Sequence, residues 1–138
     1  MEKVCIDTDV LIELSRRNLL KHIKPHMNLY LSIISAYEYL RGLAVLGRDI
    51  VYAERILKTL FTIIPLTEKT IIEAAEIYAS LHRKGVLIPD PDILIAASCI
   101  VEEISLSTFN IKHFKRLKEY GLEIVDPNEI IDMVTKSR

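Results

Sequence analysis

Asp7, Glu38 and Asp92 are the residues whose surroundings could support chemistry. Asp7 follows the apolar run Val4-Cys5-Ile6 and precedes the helical stripe Val10, Leu11, Leu14, a poor place for a solvated charge. Asp92 opens a stretch, 93–101, that is apolar on nearly every side, and Glu38 falls in the first turn or so of a helix after a second apolar run. Asn110, with Thr108 just before it, follows a fourth run. In a parallel sheet these strand ends and helix starts share one edge, where ligand sites collect. Three carboxylates in one crevice repel and raise one another's pKa unless positive charge sits among them. A hard divalent cation answers that need. Oxygen donors, with no histidine or cysteine at the strand ends, favour Mg²⁺ or Mn²⁺ over zinc. Carboxylate-held ions of this kind chiefly serve phosphoryl transfer, polarising phosphate and lowering the pKa of an attacking water.

Each acid also has a plainer reading. Glu38 completes a Ser-x-x-Glu capping box with Ser35. Asp90 and Asp92 suit a helix start, with Asp90 as N-cap and Pro91 in the first turn. Asp9 caps the first helix or joins the ligands. The four positions taken together, rather than any one, carry the metal reading.

The elements that must position them alternate along the chain. Short strands are expected at 4–6, 29–32, 61–65, 104–108 and 122–125, bounded by Asp, Pro or Gly. Between them the spacing predicts helices at 8–16, from about 35 through Leu43, at 50–60, at 68–84 and at 92–102, then a short basic one at 110–120. The helix at 68–84 starts on Thr67 and turns Ile71, Ala74, Ala75, Tyr78 and Leu81 inward. The helix at 92–102, with small Ala96, Ala97, Ser98 and Cys99, is the most buried. Strand–helix alternation without repeats implies one α/β domain spanning 1–138, a mainly parallel sheet covered on both faces as a three-layer α/β/α sandwich.

With 138 residues, half of them hydrophobic, the chain can bury its own core. Its formal net charge of −1 rules out polyanion binding by overall charge and demands a local patch. Lys112, Lys115, Arg116 and Lys118 supply one beside the crevice, though a lysine-rich helix can also be a plain solvated face. The longest apolar stretch, 93–101, is far short of the roughly 20 residues a bilayer needs, and no signal peptide or membrane association is expected. Cys5 and Cys99 read as two buried thiols, fitting a reducing cytoplasm, and their spacing suits no zinc site. A mean hydropathy of +0.24 suggests apolar surface kept for partners.

Four segments carry a family resemblance. Ile6-Asp7-Thr8-Asp9-Val10-Leu11, the 33–42 stretch around Glu38, Asp92-Ile93-Leu94-Ile95-Ala96-Ala97, and Ser107-Thr108-Phe109-Asn110-Ile111-Lys112-His113-Phe114 resemble, in order, the successive motifs of the PIN domain. The similarity is strongest to the VapC-type toxins of toxin–antitoxin pairs. It implies a metal-dependent endoribonuclease with Asp7, Glu38 and Asp92 as metal-binding acids. Two positions depart from the common pattern. Asp9 stands where asparagine is usual and adds a carboxylate. Asn110 stands where many members carry aspartate, which leaves one metal or two an open question.

The mechanism expected on this resemblance has Asp7 and Asp92, helped by Glu38, holding one Mg²⁺ or Mn²⁺ for attack of water on an RNA phosphodiester. Asn110 or Thr108 positions water or phosphate, His113 contacts phosphate or has no role, and Arg41 reaches the site or pairs with Glu38. The helical hairpin at 35–60 exposes some of Tyr37, Tyr39, Leu46 and Tyr52, as a homodimer face or a groove for an antitoxin segment. Two rivals remain. Asp7-Thr8-Asp9-Val10 also fits the nucleophile motif of haloacid dehalogenase-type phosphatases, with Asp7 as nucleophile. A non-catalytic PIN-like module, its metal site degraded at Asn110, would bind RNA or protein without cutting.

Overall fold

Five short strands pair side by side in parallel: β1 (Val4–Ile6), β2 (Leu29–Ser32), β3 (Thr62–Ile64), β4 (Ser105–Ser107) and β5 (Ile124–Val125). The computed structural model describes residues 2–138. The strand order is β3-β2-β1-β4-β5, and Ile6 is in register with Leu31 on one side and Ser107 on the other. The chain steps outward from β1 to β2 and β3, then returns to lay β4 on the opposite side of β1. This reversal makes the β1/β4 boundary the topological switch point of the sheet, where a crevice opens at the carboxyl ends.

The helices sort by the direction of those steps. α1 (Thr8–Arg16), α2 (Ile33–Val45) and α3 (Ile50–Leu60) lie in the outward crossovers; α4 (Glu68–Arg83), α5 (Asp90–Glu102) and α6 (Ile111–Phe114) follow β3 and β4. Right-handed crossovers place the two sets on opposite faces. Strand alternation fits this arrangement. Val4, Ile6, Leu29 and Leu31 pack with Val10, Leu11, Leu14, Ala36 and Leu57 on one face. Cys5 and Leu106 pack with Ala74, Ile77, Ala96, Ala97 and Phe114 on the other. The result is the three-layer α/β/α sandwich.

Several expectations need correcting. α2 begins directly after β2, with Ser32 as its N-cap accepting from the Ile34 amide at 3.1 Å. Ser35 therefore lies inside the helix, buried, and caps nothing, so the capping-box reading of Glu38 fails. α5 starts at Asp90 itself, after Pro89, with no side-chain cap. α4 starts on Thr67 as expected, but it buries Thr70, Ala74, Ile77 and Leu81 and leaves Ile71 and Tyr78 exposed. Its apolar residues span more than one face, and packing against α5 and the core covers only one of them. The basic segment is a single α-turn, α6, followed by a 3-10 stretch, Lys115–Tyr120, which ends at Gly121 with φ +105°. A final helix, α7 (Pro127–Lys136), is not among the expected elements. It is capped by Asp126 and buries Ile130, Ile131 and Val134 against the α1–α2 face.

Cys5 and Cys99 are free and fully buried. Contact with Cys5 and burial push the Cys99 thiol well above its ordinary range, which makes it a packing residue. Among the described residues no helix is long and apolar enough to cross a membrane.

Candidate active site

The crevice at the switch point is built from β1, β4 and the starts of α1 and α5. β1 stops at Ile6 because Asp7 turns the chain into α1: its Oδ1 accepts from the Thr8 amide at 2.8 Å, as an N-cap. Its other oxygen, Oδ2, accepts from the Thr108 hydroxyl at 2.8 Å across the β1/β4 boundary. Thr108 is fully buried, and its Oγ1 in turn accepts from the Asn110 amide at 2.9 Å. Asp9, in the first turn of α1, reaches the same loop. Its Oδ2 accepts from the Phe109 amide at 3.2 Å and stands 3.5 Å from Thr108 Oγ1.

α5 brings Asp92 to this edge. Asp92 Oδ2 lies 3.2 Å from His113 Nδ1, and that nitrogen is 3.0 Å from Asn110 Nδ2. Nδ1 can donate to Asp92 when it carries the ring proton and accept from Asn110 when it does not, so the tautomer decides which of the two it binds. Glu38 joins at one remove, accepting from the Thr8 hydroxyl at 2.6 Å. Arg41 does not reach the acids; its guanidinium lies over the Tyr37 ring, 5.4 Å from the centroid.

The electrostatics are those of an uncompensated acidic cluster. Asp7 is only 7% exposed, and its pKa is raised from 3.8 to about 7. Burial is the main cause, with the Asp9 charge next; the Thr108 and Thr8 hydrogen bonds oppose the rise, and Asp92 adds a smaller push. Burial also raises the Asp9 carboxyl from its ordinary value. Among the described residues no lysine or arginine pairs with Asp7, Asp9, Glu38 or Asp92; the imidazole of His113 stands beside Asp92.

Whether these residues suit a metal can be judged from the donors. Among the described residues no three Asp, Glu, His or Cys side chains stand as a ready-made cluster, since Glu38 engages Thr8 and Asp92 engages His113. The donors are nonetheless oxygens, the acids lack a lysine or arginine counterpart among the described residues, and Asp9 Oδ1 is buried with no hydrogen-bond partner. A buried, unpartnered carboxylate oxygen beside a carboxyl driven to about 7 is a set that a hard divalent cation would satisfy. The residues fit such an ion.

Lys112, Lys115, Arg116 and Lys118 are all exposed. The last three line an open groove of about 690 Å³ that also takes in Lys84 from the end of α4. Lys84 pairs with Glu119 and lies over the Tyr120 ring. On the hairpin, Tyr37, Leu46 and Tyr52 are exposed, while Tyr39 is half-buried and bonds Ser15 through its hydroxyl at 3.0 Å. Between α2 and α3 runs an apolar groove of about 470 Å³, lined by Ile33, Ala36, Tyr37, Leu40, Leu57 and Ile63, with Arg41, Glu54 and Lys58 also lining it. The contacts of Thr8 with Glu38 and of Asp9 with Phe109 have no sequence signal, since both join residues far apart in the chain.

A parallel sheet with strand order 3-2-1-4-5 and acids gathered at its switch point defines a PIN-type fold, and the chain belongs to that family: the model of the PIN domain matches residues 4–120. Within it, the chain is similar to Ribonuclease VapC1 of Methanocaldococcus jannaschii, 39% identical over 124 residues and covering 90% of this chain and 88% of that one. It is also similar to Ribonuclease VapC1 of Rickettsia felis, 32% identical and covering 87% and 92%. Among solved structures, VapBC-1 from nontypeable Haemophilus influenzae superposes with a TM-score of 0.72 at 20% identity, covering 91% of this chain and 98% of that one. VapBC2 from Rickettsia felis, bound to promoter DNA, gives 0.69 at 25% identity, covering 89% and 97%. The phosphatase reading of Asp7 yields to this match over most of the chain.

Proposed function

We propose that the chain is a divalent-metal-dependent endoribonuclease and the toxin of a toxin–antitoxin pair. The observation that carries this reading is the acidic crevice without a lysine or arginine partner at the β1/β4 switch point. The ribonuclease names of its relatives support the choice of RNA. Asp7 and Asp92, with Glu38, would hold one Mg²⁺ or Mn²⁺. Such an ion supplies a Lewis acid that polarises a phosphodiester and makes water a better nucleophile.

The protein's own groups do the positioning. Thr108 fixes the Asp7 carboxylate by donating to Oδ2, and its Oγ1 holds the Asn110 amide. Asn110 and His113 are held beside Asp92, placed to meet a phosphate oxygen or water. Lys112, Lys115, Arg116 and Lys118, with Lys84, attract the RNA backbone. Several similar solved structures are named VapBC, and another is a toxin–antitoxin complex from Klebsiella pneumoniae. By analogy, the apolar α2–α3 groove takes a segment of an antitoxin, and the exposed apolar side chains around it serve a homodimer. The place of action is the cytoplasm, where RNA is present and buried thiols stay reduced.

The test is cleavage of a mixed pool of structured and single-stranded RNA by purified protein, with Mn²⁺, Mg²⁺ or chelator, beside Asp92→Asn. Metal-dependent cutting that disappears in the variant is the expected result. Equal cutting by both proteins overturns the site, and Mn²⁺ binding without any cutting favours the non-catalytic module.

A further inference from the structure

The loop beside the crevice carries an aromatic ring that belongs to neither core cluster. Of the three phenylalanines, Phe61 and Phe114 are 4% and 0% exposed, whereas Phe109 is 43% exposed. It sits between Thr108, which holds Asp7, and Asn110, which touches His113. The loop is fixed on both sides of the ring. The Phe109 amide donates to Asp9 Oδ2 at 3.2 Å, and the Asn110 amide donates to Thr108 Oγ1 at 2.9 Å. A large apolar side chain held open to water, on a pinned loop beside a charged crevice, is set to receive a flat apolar surface at little ordering cost. The basic side chains that begin three residues later, at Lys112, fit a ligand that pairs such a surface with anionic charge.

We infer that Phe109 is the stacking platform for an unpaired nucleobase next to the scissile phosphate. This rests on the ribonuclease reading and adds the residue that receives the base. Every base offers a π-face to an aromatic ring, but only a base outside a helix can present it. A duplex can contact the lysines and arginine through its phosphates, yet it keeps its faces stacked internally.

The chain contains no tryptophan, so Phe109→Trp installs a single indole reporter at the position in question. Its emission is followed while an unstructured RNA oligonucleotide, or a blunt RNA duplex of equal phosphate content, is added with chelator or with Mn²⁺. Dye-labelled RNA anisotropy reports binding independently. Val45→Trp, at the 83% exposed end of α2, serves as the control indole. The expected result is strong quenching of the position-109 indole by single-stranded RNA, little by bound duplex, and none of the control. In cleavage of unstructured RNA, Phe109→Ala should raise KM roughly tenfold while kcat changes less than about twofold, and Phe109→Tyr should restore KM. RNA that binds by anisotropy while the indole at 109 stays silent overturns the proposal and leaves the ring to a protein contact. Equal quenching by duplex and single strand also overturns it. If the unmodified protein binds no RNA at all, the ribonuclease reading falls first and this proposal with it.

Discussion

Thr108 donates its hydroxyl hydrogen to Asp7 Oδ2 at 2.8 Å, joining the ends of two adjacent strands that are 101 positions apart in the chain. Thr108 Oγ1 also accepts from the Asn110 amide, so one threonine fixes an acid and the loop above it. Thr108→Val keeps the shape and removes both roles. Expected are a loss of about 1–3 kcal/mol in unfolding free energy, from a buried carboxylate and an amide left short of partners, and weaker Mn²⁺ binding. Thr108→Ser should recover both. Urea melts and Mn²⁺ titration check the pair of variants.

The raised Asp7 pKa gives a dependence of stability on pH with a definite sign. The folded protein holds this proton up to about pH 7, while the unfolded chain releases it near 3.8. The stabilisation is complete below pH 3.8 and is lost as pH rises to about 7, up to about 4 kcal/mol in all. Metal-free protein should therefore lose stability between about pH 4 and 7, Mn²⁺ should reverse the loss at the upper end, and Asp7→Asn should flatten the slope. Thermal melts across that range with and without Mn²⁺ provide the measurement.

Asp9 is the second largest cause of the Asp7 shift and also the acceptor for the Phe109 amide. Asp9→Asn separates these roles, because the amide oxygen still accepts while the charge is gone. The Asp7 pKa should fall, and the pH midpoint for Mn²⁺ binding should move to lower pH. Calorimetric titrations at several pH values would show the shift, and an unchanged midpoint would mean that the Asp9 charge is not felt at Asp7.

Lys115 and Arg116 project into the basic groove without an acidic partner among the described residues, unlike Lys84 with Glu119. Replacing both with alanine should raise KM for RNA and leave kcat close to normal. It should also lower the salt dependence of binding by about 0.7 in log–log slope for each phosphate that is no longer neutralised. Binding isotherms between low and moderate salt would show it.

Much of this arrangement is legible from local pattern. Val4-Cys5-Ile6 followed by the stripe Val10, Leu11, Leu14 marks a buried strand running into a helix, and Asp7 at the junction marks the crevice. The start of α2 is hidden because Ser35 and Glu38 imitate a capping box, whereas the strand runs straight into the helix at Ser32. α7 carries an ordinary signature, Asp126-Pro127 followed by Ile130, Ile131 and Val134, but the Asp-Pro pair equally suits a chain that simply leaves its last strand. The inward face of α4 is ambiguous because apolar residues ring the helix and only tertiary packing selects Ile77 over Tyr78. Thr8 with Glu38, and Asp9 with Phe109, are contacts made by the fold and have no local trace.

The central claim, that Asp7 and Asp92 share a divalent ion used to cut RNA, is tested most directly by anomalous scattering from crystals grown with Mn²⁺, using protein shown to cleave RNA in the same buffer. The expected result is a manganese peak in coordination contact with the carboxylates of both Asp7 and Asp92, absent from crystals of Asp92→Asn. A cleaving protein whose manganese lies elsewhere, or which binds none at concentrations that support cleavage, would contradict it.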